Sequence, residues 1–454
     1  MFPVSLAPLL LFLALVPALA AATVVEHRLA NGLKVIVKED RRAPSVVQQL
    51  WYRAGSMDER SGTTGVAHVL EHMMFKGTSR FGPGEFSRRV SRVGGRENAF
   101  TGRDYTVYFQ QVQRDSLALV MELEADRMTN LVLRPKDFAS EIQVVMEERR
   151  LRTEDRPRSL TFEAMMAAAF TAHPYRWPII GWMDDLASMT YRDAQQWYRQ
   201  WYAPDNAVLI IVGDVDAKTV IRLAQRHYGP IRRRAVPQRR AQAEPAQRGI
   251  RRVVTKAPAD AAYLILGYKV PVLRDLQRDW EAPALEVLAG VLSGNESARL
   301  NQALVRDSRV ATDAGAGYEQ LARGPGMFYL HGTVAPGRAS VELETGFRDA
   351  VARIVTEGVT AKELERVKTQ LAAREIYKRD SIFAQAMEMG QLENAGFSHR
   401  DIETILAKLR EVTAEQVRAV ASKYLVDDGL TVAALDPQPL EARPPRAPPP
   451  PLRH

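Results

Sequence analysis

Two stretches far apart in this chain run through the same order of elements. MTYRDAQQWYRQWYAPDNAVLIIVGDVD (189–216) and VTAEQVRAVASKYLVDDGLTVAALDPQP (412–439) each read as a helix, a polar turn and an apolar strand. Thr190 and Thr413 are the candidate N-caps, and Asp205 and Asp427 fall in the turns. Each stretch lies near the end of one half of the 454 residues. A chain this long outgrows a single core. We therefore expect an α+β fold of two related domains, each a mainly antiparallel sheet packed with helices.

The remaining pattern supplies the boundaries. VEHRLANGLKVIVKED reads as two extended runs around an Asn31-Gly32 turn, and a second apolar strand lies around Val46–Tyr52. Val66 to Phe75 is apolar on nearly all sides and reads as a buried helix. GGRENAFTGRDYTVYFQQV gives a glycine turn and an alternating strand, followed by helices from about Asp115 to Asn130 and from Pro135 to about Arg152. The stretch 231–252, rich in Arg, Pro, Ala and Gln, reads as a linker between a domain at 23–230 and one at 253–437. A proline-rich tail occupies 438–454.

The N-terminal run MFPVSLAPLLLFLALVPALAAA ends in the small-x-small pattern Ala18-Leu19-Ala20 and reads as a signal peptide, residues 1–22. This predicts a periplasmic or secreted protein. The run begins without Lys or Arg, so an uncleaved anchor is the alternative. No later segment is long and apolar enough to cross a membrane. The formal charge is +8, with much of the excess in the linker arginines. No aromatics are interleaved with them and no nucleic-acid motif is present, so a solvated basic surface is the reading. With no cysteine in the chain, any metal must be held by His and carboxylates.

Two of the eight histidines stand four residues apart around a glutamate, His68-Val69-Leu70-Glu71-His72. On a helix, positions i and i+4 project side by side, so two neutral imidazoles there can chelate one Zn²⁺. Glu71 lies beside them, placed to take a proton from a metal-bound water. A catalytic zinc usually has three protein ligands. In EIQVVMEERRLR, at about 100° per residue, Val144, Val145 and Leu151 define the core-facing stripe. Glu141 and Glu148 fall within that stripe, while Glu147 points to solvent. Two carboxylates on a core face call for a cation. Glu148 is therefore the expected third ligand and Glu141 its supporting group.

On these residues the chain resembles the pitrilysin/insulinase family of zinc peptidases, in the half-length class that includes mitochondrial processing peptidase and bacterial relatives. The inverted motif His68-Val69-Leu70-Glu71-His72, with Glu148 in EIQVVMEERR, is the signature. GVAHVLEHMMFKGT, GGRENAFTGRDYTVYF and YAPDNAVLIIVGDVD match as well, from about residue 24 to 216, and the second half matches more loosely. The resemblance implies half of a clamshell: four such domains enclose a chamber, with one zinc per chain. It implies that Asn98, Ala99, Phe100 and Thr101 form an edge strand on which a peptide substrate lies extended. It also implies an Arg and a Tyr, about seven residues apart in a later half, that grip substrate and oxyanion. Here LVRDSRVATDAGAGY retains Arg306, but the Tyr position falls near Thr312 or Asp313, and Tyr318 lies too far along. The expected assembly is thus a dimer with a homologous chain that supplies the missing groups, and a homodimer of reduced or altered activity is the competing option. The expected activity is that of an exported zinc-dependent endopeptidase acting on peptides or unfolded segments, with Glu71 as general base. The alternatives are a non-catalytic scaffold or binding subunit, and a zinc hydrolase of non-peptide substrates.

Overall fold

The computed structural model describes residues 24–440, so the signal-peptide expectation and most of the proline-rich tail lie outside the described residues. The first half forms a six-stranded sheet from β1 (Val24–Arg28), β2 (Lys34–Glu39), β3 (Ser45–Tyr52), β4 (Arg96–Thr101), β5 (Thr106–Gln113) and β6 (Ala207–Gly213). Its order is β1-β2-β6-β3-β5-β4, antiparallel except for the β2–β6 pair. The second half builds β7 (Arg251–Pro258), β8 (Tyr263–Val270), β9 (Ala311–Tyr318), β10 (Gly326–Val334) and β11 (Leu430–Gln438) in the order β7-β11-β8-β10-β9. Again only one pair, β7–β11, is parallel. Setting β1 aside, the two orders correspond strand for strand. The repeated helix–turn–strand unit supplies an interior strand of each sheet, β6 and β11, and α+β is the fold class.

Alternation along the strands explains why both faces are covered. In β2, Val35 and Val37 enter the main core with Leu50, Leu70 and Val120, whereas Ile36 turns to the opposite face with Trp51, Val208 and Ile210. A strand buried on both faces reads as a continuous apolar run, and every residue of β6 is buried. The cover on that opposite face comes from the other half: helix Ile382–Ala395 lays Ala386 and Met389 on it. The exchange is reciprocal. Helix Pro157–Ala169, not among the helices expected from periodicity, brings Met165, Met166 and Ala169 against Ile265, Met327 and Ala433 of the second sheet. Each half thus completes the core of the other.

Residues 231–250 carry no regular secondary structure, and β7 starts at Arg251, two residues inside the range expected for the linker. The segment is tied down. The Glu244 carboxylate accepts N–H bonds from Thr171, Ala172 and His173 at 2.8–2.9 Å and pairs with Lys269 at 3.0 Å. Arg239 pairs with Asp58 at 2.7 Å.

Candidate metal centre

The motif helix spans Val66–Met73. It enters through Gly65, whose φ of 88° suits a residue without Cβ and where a Cβ would collide with the Ile180 carbonyl and Gly181. The Glu59 carboxylate accepts the Gly65 and Ala67 N–H groups at 2.8 and 2.9 Å, which satisfies donors that a helix start leaves open. Val69, Leu70 and Met73 anchor the helix in the core. His68 and His72 project together, ring centres 4.8 Å apart.

The second helix, Pro135–Arg149, passes directly into a wider π turn at Arg150–Glu154. Its Glu148 comes to the pair: Oε2 lies 3.2 Å from His72 Nε2 and Oε1 3.9 Å from His68 Nε2. Glu141, two turns earlier, receives His72 Nδ1 at 3.0 Å and Lys76 Nζ at 2.5 Å. A tetrahedral zinc with bonds of about 2.0–2.1 Å holds its donors about 3.3 Å apart. The two imidazole nitrogens and one carboxylate therefore fit such an ion, with Glu141 fixing the His72 ring from its other side.

The electrostatics agree with a cationic occupant. Burial pushes the His68 imidazolium down to about 3, which leaves the ring neutral as a ligand must be. Burial also disfavours a charged His72, but bonds to Glu141 and Glu148 outweigh it and raise its pKa to about 9. Burial alone would raise Glu148, yet the two imidazoles and Arg152 pull it down to about 2. Glu71 is pushed above the ordinary carboxylate range by burial, an effect partly offset by the Thr101 hydroxyl, which donates to its Oε2 at 2.5 Å.

His68, Glu71, His72 and Glu148 line one cavity of about 940 Å³ together with Asn98, Ala99, Phe100 and Thr101 of β4. As expected, β4 forms the edge of the first sheet. Arg306 is not brought to this place: it lies exposed, 3.1 Å from Glu296, and is not among the residues that line the cavity. Tyr318 donates its hydroxyl to the Pro271 carbonyl at 2.7 Å. Leu151, expected in the core-facing stripe, is 38% exposed and lines the cavity instead. The π turn that begins at Arg150 rotates it out of the helical stripe. Glu147, expected to point to solvent, is half-buried and lines the cavity, where it pairs with Arg150 at 3.0 Å.

Sequence reasoning missed Lys76 and the Thr101–Glu71 bond. Lys76 stands four residues after His72, a spacing that puts it on the same helical side and was there to be used. The apolar wall of Phe162, Trp177, Ile180 and Tyr263 had no such signal, because it is assembled from both halves. A second cluster, Glu26, Glu393 and His399, also brings ligand-type atoms together. There the Lys34 ammonium already provides the cation, 3.2 Å from Glu26 and 2.8 Å from Glu393.

Comparison with known proteins agrees with this geometry. Residues 34–181 match the family described as insulinase (peptidase family M16), and residues 188–371 match the peptidase M16 inactive domain. The zinc protease PqqE of Helicobacter pylori is 30% identical over 423 residues, covering 90% of this chain and 92% of the relative. An uncharacterized zinc protease of Mycobacterium leprae is 29% identical over 412 residues, 90% of this chain and 91% of the relative. Among solved structures, a protease from Helicobacter pylori superposes with a TM-score of 0.87 at 28% identity, covering 92% of this chain and all of that one. The periplasmic protease PqqL of Escherichia coli shares the fold at a TM-score of 0.77 and 18% identity, with 93% of this chain covering 50% of that longer one. The chain belongs to the insulinase family, peptidase family M16.

Proposed function

We propose that this chain is an exported zinc endopeptidase that cleaves peptides or unfolded segments. The observation that carries the reading is a convergence within one cavity. His68 and His72 from one helix and Glu148 from another offer three ligand atoms, and Glu71 stands beside them, bonded to the last residue of an edge strand. The relatives named zinc proteases support zinc as the ion, one per chain.

Zinc, when bound, supplies a Lewis acid that polarises a substrate carbonyl and lowers the pKa of water toward about 7. The chain's own groups do the rest. The outer edge of β4, at Asn98, Ala99, Phe100 and Thr101, offers main-chain N–H and C=O groups to an extended peptide whatever its side chains. Glu71 takes the proton of the attacking water on its carboxylate and returns it to the leaving amine. A buried carboxyl with a raised pKa is a stronger base for that task. Thr101 holds the carboxylate in place and ties it to the strand on which substrate lies.

The groups that steady the oxyanion come, in this reading, from a second chain of the same fold, either another copy or a homologue. Two facts favour this: Arg306 lies outside the cavity lining, and the chain spans half of the longer PqqL. Export to the periplasm or beyond is supported by the N-terminal sequence and by the likeness to PqqL, a periplasmic protease. A non-catalytic scaffold is the second reading, because the inactive-domain description matches residues 188–371. That range contains none of His68, Glu71, His72 and Glu148, so it bears on the second half. The deciding experiment compares wild type with Glu71→Gln on a quenched peptide while metal content is followed. The variant is expected to keep zinc and lose cleavage; equal cleavage by both proteins overturns the peptidase reading.

A further inference from the structure

Four arginines line the cavity; Arg152 pairs with Glu148 at 2.7 Å and Arg176 donates to the Thr171 carbonyl at 2.7 Å, which leaves Arg103 and Arg158 to account for. Arg103 follows Thr101 by two residues, in the turn between β4 and β5, and lines the cavity. Its guanidinium faces the rings of Phe162 at 6.0 Å and Tyr175 at 5.6 Å. Its Nε is buried without a hydrogen-bond partner among the described residues. Arg158 stands one helical turn before Phe162, over the Tyr263 ring at 4.9 Å. It donates to Thr333 Oγ1 at 2.7 Å and lies 3.6 Å from Asp313. The two cations thus flank one phenylalanine on a single wall.

Asp313 is the carboxylate beside Arg158, while Glu147, which also lines the cavity, pairs with Arg150 at 3.0 Å. Glu163 accepts both amino groups of Arg149 at 2.9 and 2.8 Å, and Glu148 pairs with Arg152 at 2.7 Å. Asp104 accepts the Tyr175 hydroxyl at 2.6 Å and the Arg323 N–H at 2.7 Å. Arg103 is left as a half-buried cation beside the edge strand, with no ion pair among the described residues. A guanidinium held over aromatic faces, with donors still open, is complementary to a carboxylate and repels an ammonium. An extended peptide advances about 3.3 Å per residue. A side chain about two residues along from the one that meets Thr101 therefore falls within reach of Arg103.

We propose that Arg103, with Arg158 beside Phe162, forms a carboxylate-recognising subsite, so that cleavage favours peptides with an acidic group within about two residues of the bond broken. The proposal rests on the peptidase reading above and assigns its substrate class. A carboxylate can come from an Asp or Glu side chain or from the C-terminus of a short peptide. The test uses quenched peptides carrying Asp, Asn or Lys at each position around the cleaved bond, each made with a free and with an amidated C-terminus. Cleavage sites are read by mass spectrometry.

Wild type is expected to cleave the preferred Asp peptide about tenfold better in kcat/KM than its Lys counterpart, the size of one charge-assisted contact. Amidation that leaves this ratio intact assigns the subsite to side chains; a ratio seen only with free C-termini assigns it to the terminal carboxylate. Either outcome supports carboxylate recognition. Arg103→Glu is expected to reverse the order, and the milder Arg103→Gln to flatten it, with zinc content reporting that both variants are folded. Robust cleavage with equal rates for Asp, Asn and Lys peptides overturns the subsite while leaving the peptidase reading standing. An unchanged preference in Arg103→Gln and Arg158→Gln overturns it as well. Cleavage of no peptide by wild type, or undiminished cleavage by Glu71→Gln, overturns the parent reading instead.

Discussion

The two halves share a strand order, a single parallel pair and an exchanged helix, yet they differ in chemistry. In the first half, helix Val66–Met73 carries His68, Glu71 and His72 against Glu148 of helix Pro135–Arg149. In the second, helix Glu281–Ser293 occupies the corresponding place between strands, and Arg374 lies near the end of helix Ala361–Lys378. Glu286 is the sixth residue of its helix, as Glu71 is of its own. Burial pushes Glu286 up to about 7, but no histidine pair accompanies it. The fold therefore needs apolar periodicity and a covering helix, whereas the metal centre needs four side chains on two helices. Both halves meet the first requirement; among the described residues only the first half brings those four side chains together.

The largest effects should separate the halves most cleanly. Glu71→Gln is expected to lower peptide cleavage about 10²–10⁴-fold, the usual worth of a positioned proton acceptor. Glu286→Gln, in the matching helix, should leave the rate unchanged. Steady-state kinetics on one quenched peptide checks both, and a comparable loss in the two variants breaks the distinction. Glu141→Gln comes next. It removes the acceptor that orients His72 and should weaken zinc binding about 10–100-fold in chelator competition.

The exchanged helices give a smaller, structural comparison. Gly390 of helix Ile382–Ala395 lies against the Trp51 indole, where a Cβ would overlap the ring. On the other sheet the glycine belongs to the strand: Gly267 of β8 meets the flexible ends of Met165 and Met327. Gly390→Ala should therefore cost about 1–3 kcal/mol in denaturant unfolding, as overpacking of a rigid contact does. Gly267→Ala should cost less, because methionine side chains can yield. Smallest of all are the caps of the repeated unit. Thr190 donates its N–H and its hydroxyl to the Asp193 carboxylate, and Thr413 exchanges bonds with Gln416, accepting its N–H and donating to its side chain. Each Thr→Ala change should cost about 1 kcal/mol, nearly equal between halves, if the two copies are equivalent scaffolds.

Much of this was legible from periodicity. The continuous apolar run of β6 signalled a strand covered on both faces, the Asn31-Gly32 turn set the first hairpin, and helical spacing brought Glu141 and Glu148 to one side of their helix. What periodicity cannot say is which partner an apolar face will meet. Met165 and Met166 announce a buried face, but only the three-dimensional arrangement assigns that face to the second sheet. Leu151 fell outside its stripe for a local reason, since the turn widens from Arg150 onward. Arg306 was placed by family likeness rather than by physics, and the structure keeps it with Glu296, apart from the cavity.

The decisive measurement is the metal stoichiometry of the purified chain after dialysis, for wild type and for the His68→Ala/His72→Ala double variant. One zinc per chain in wild type and none in the variant, with the far-ultraviolet circular dichroism unchanged, is the predicted result. Retention of one equivalent by the double variant, or its absence from zinc-supplemented wild type, would contradict a centre built on these two rings and Glu148.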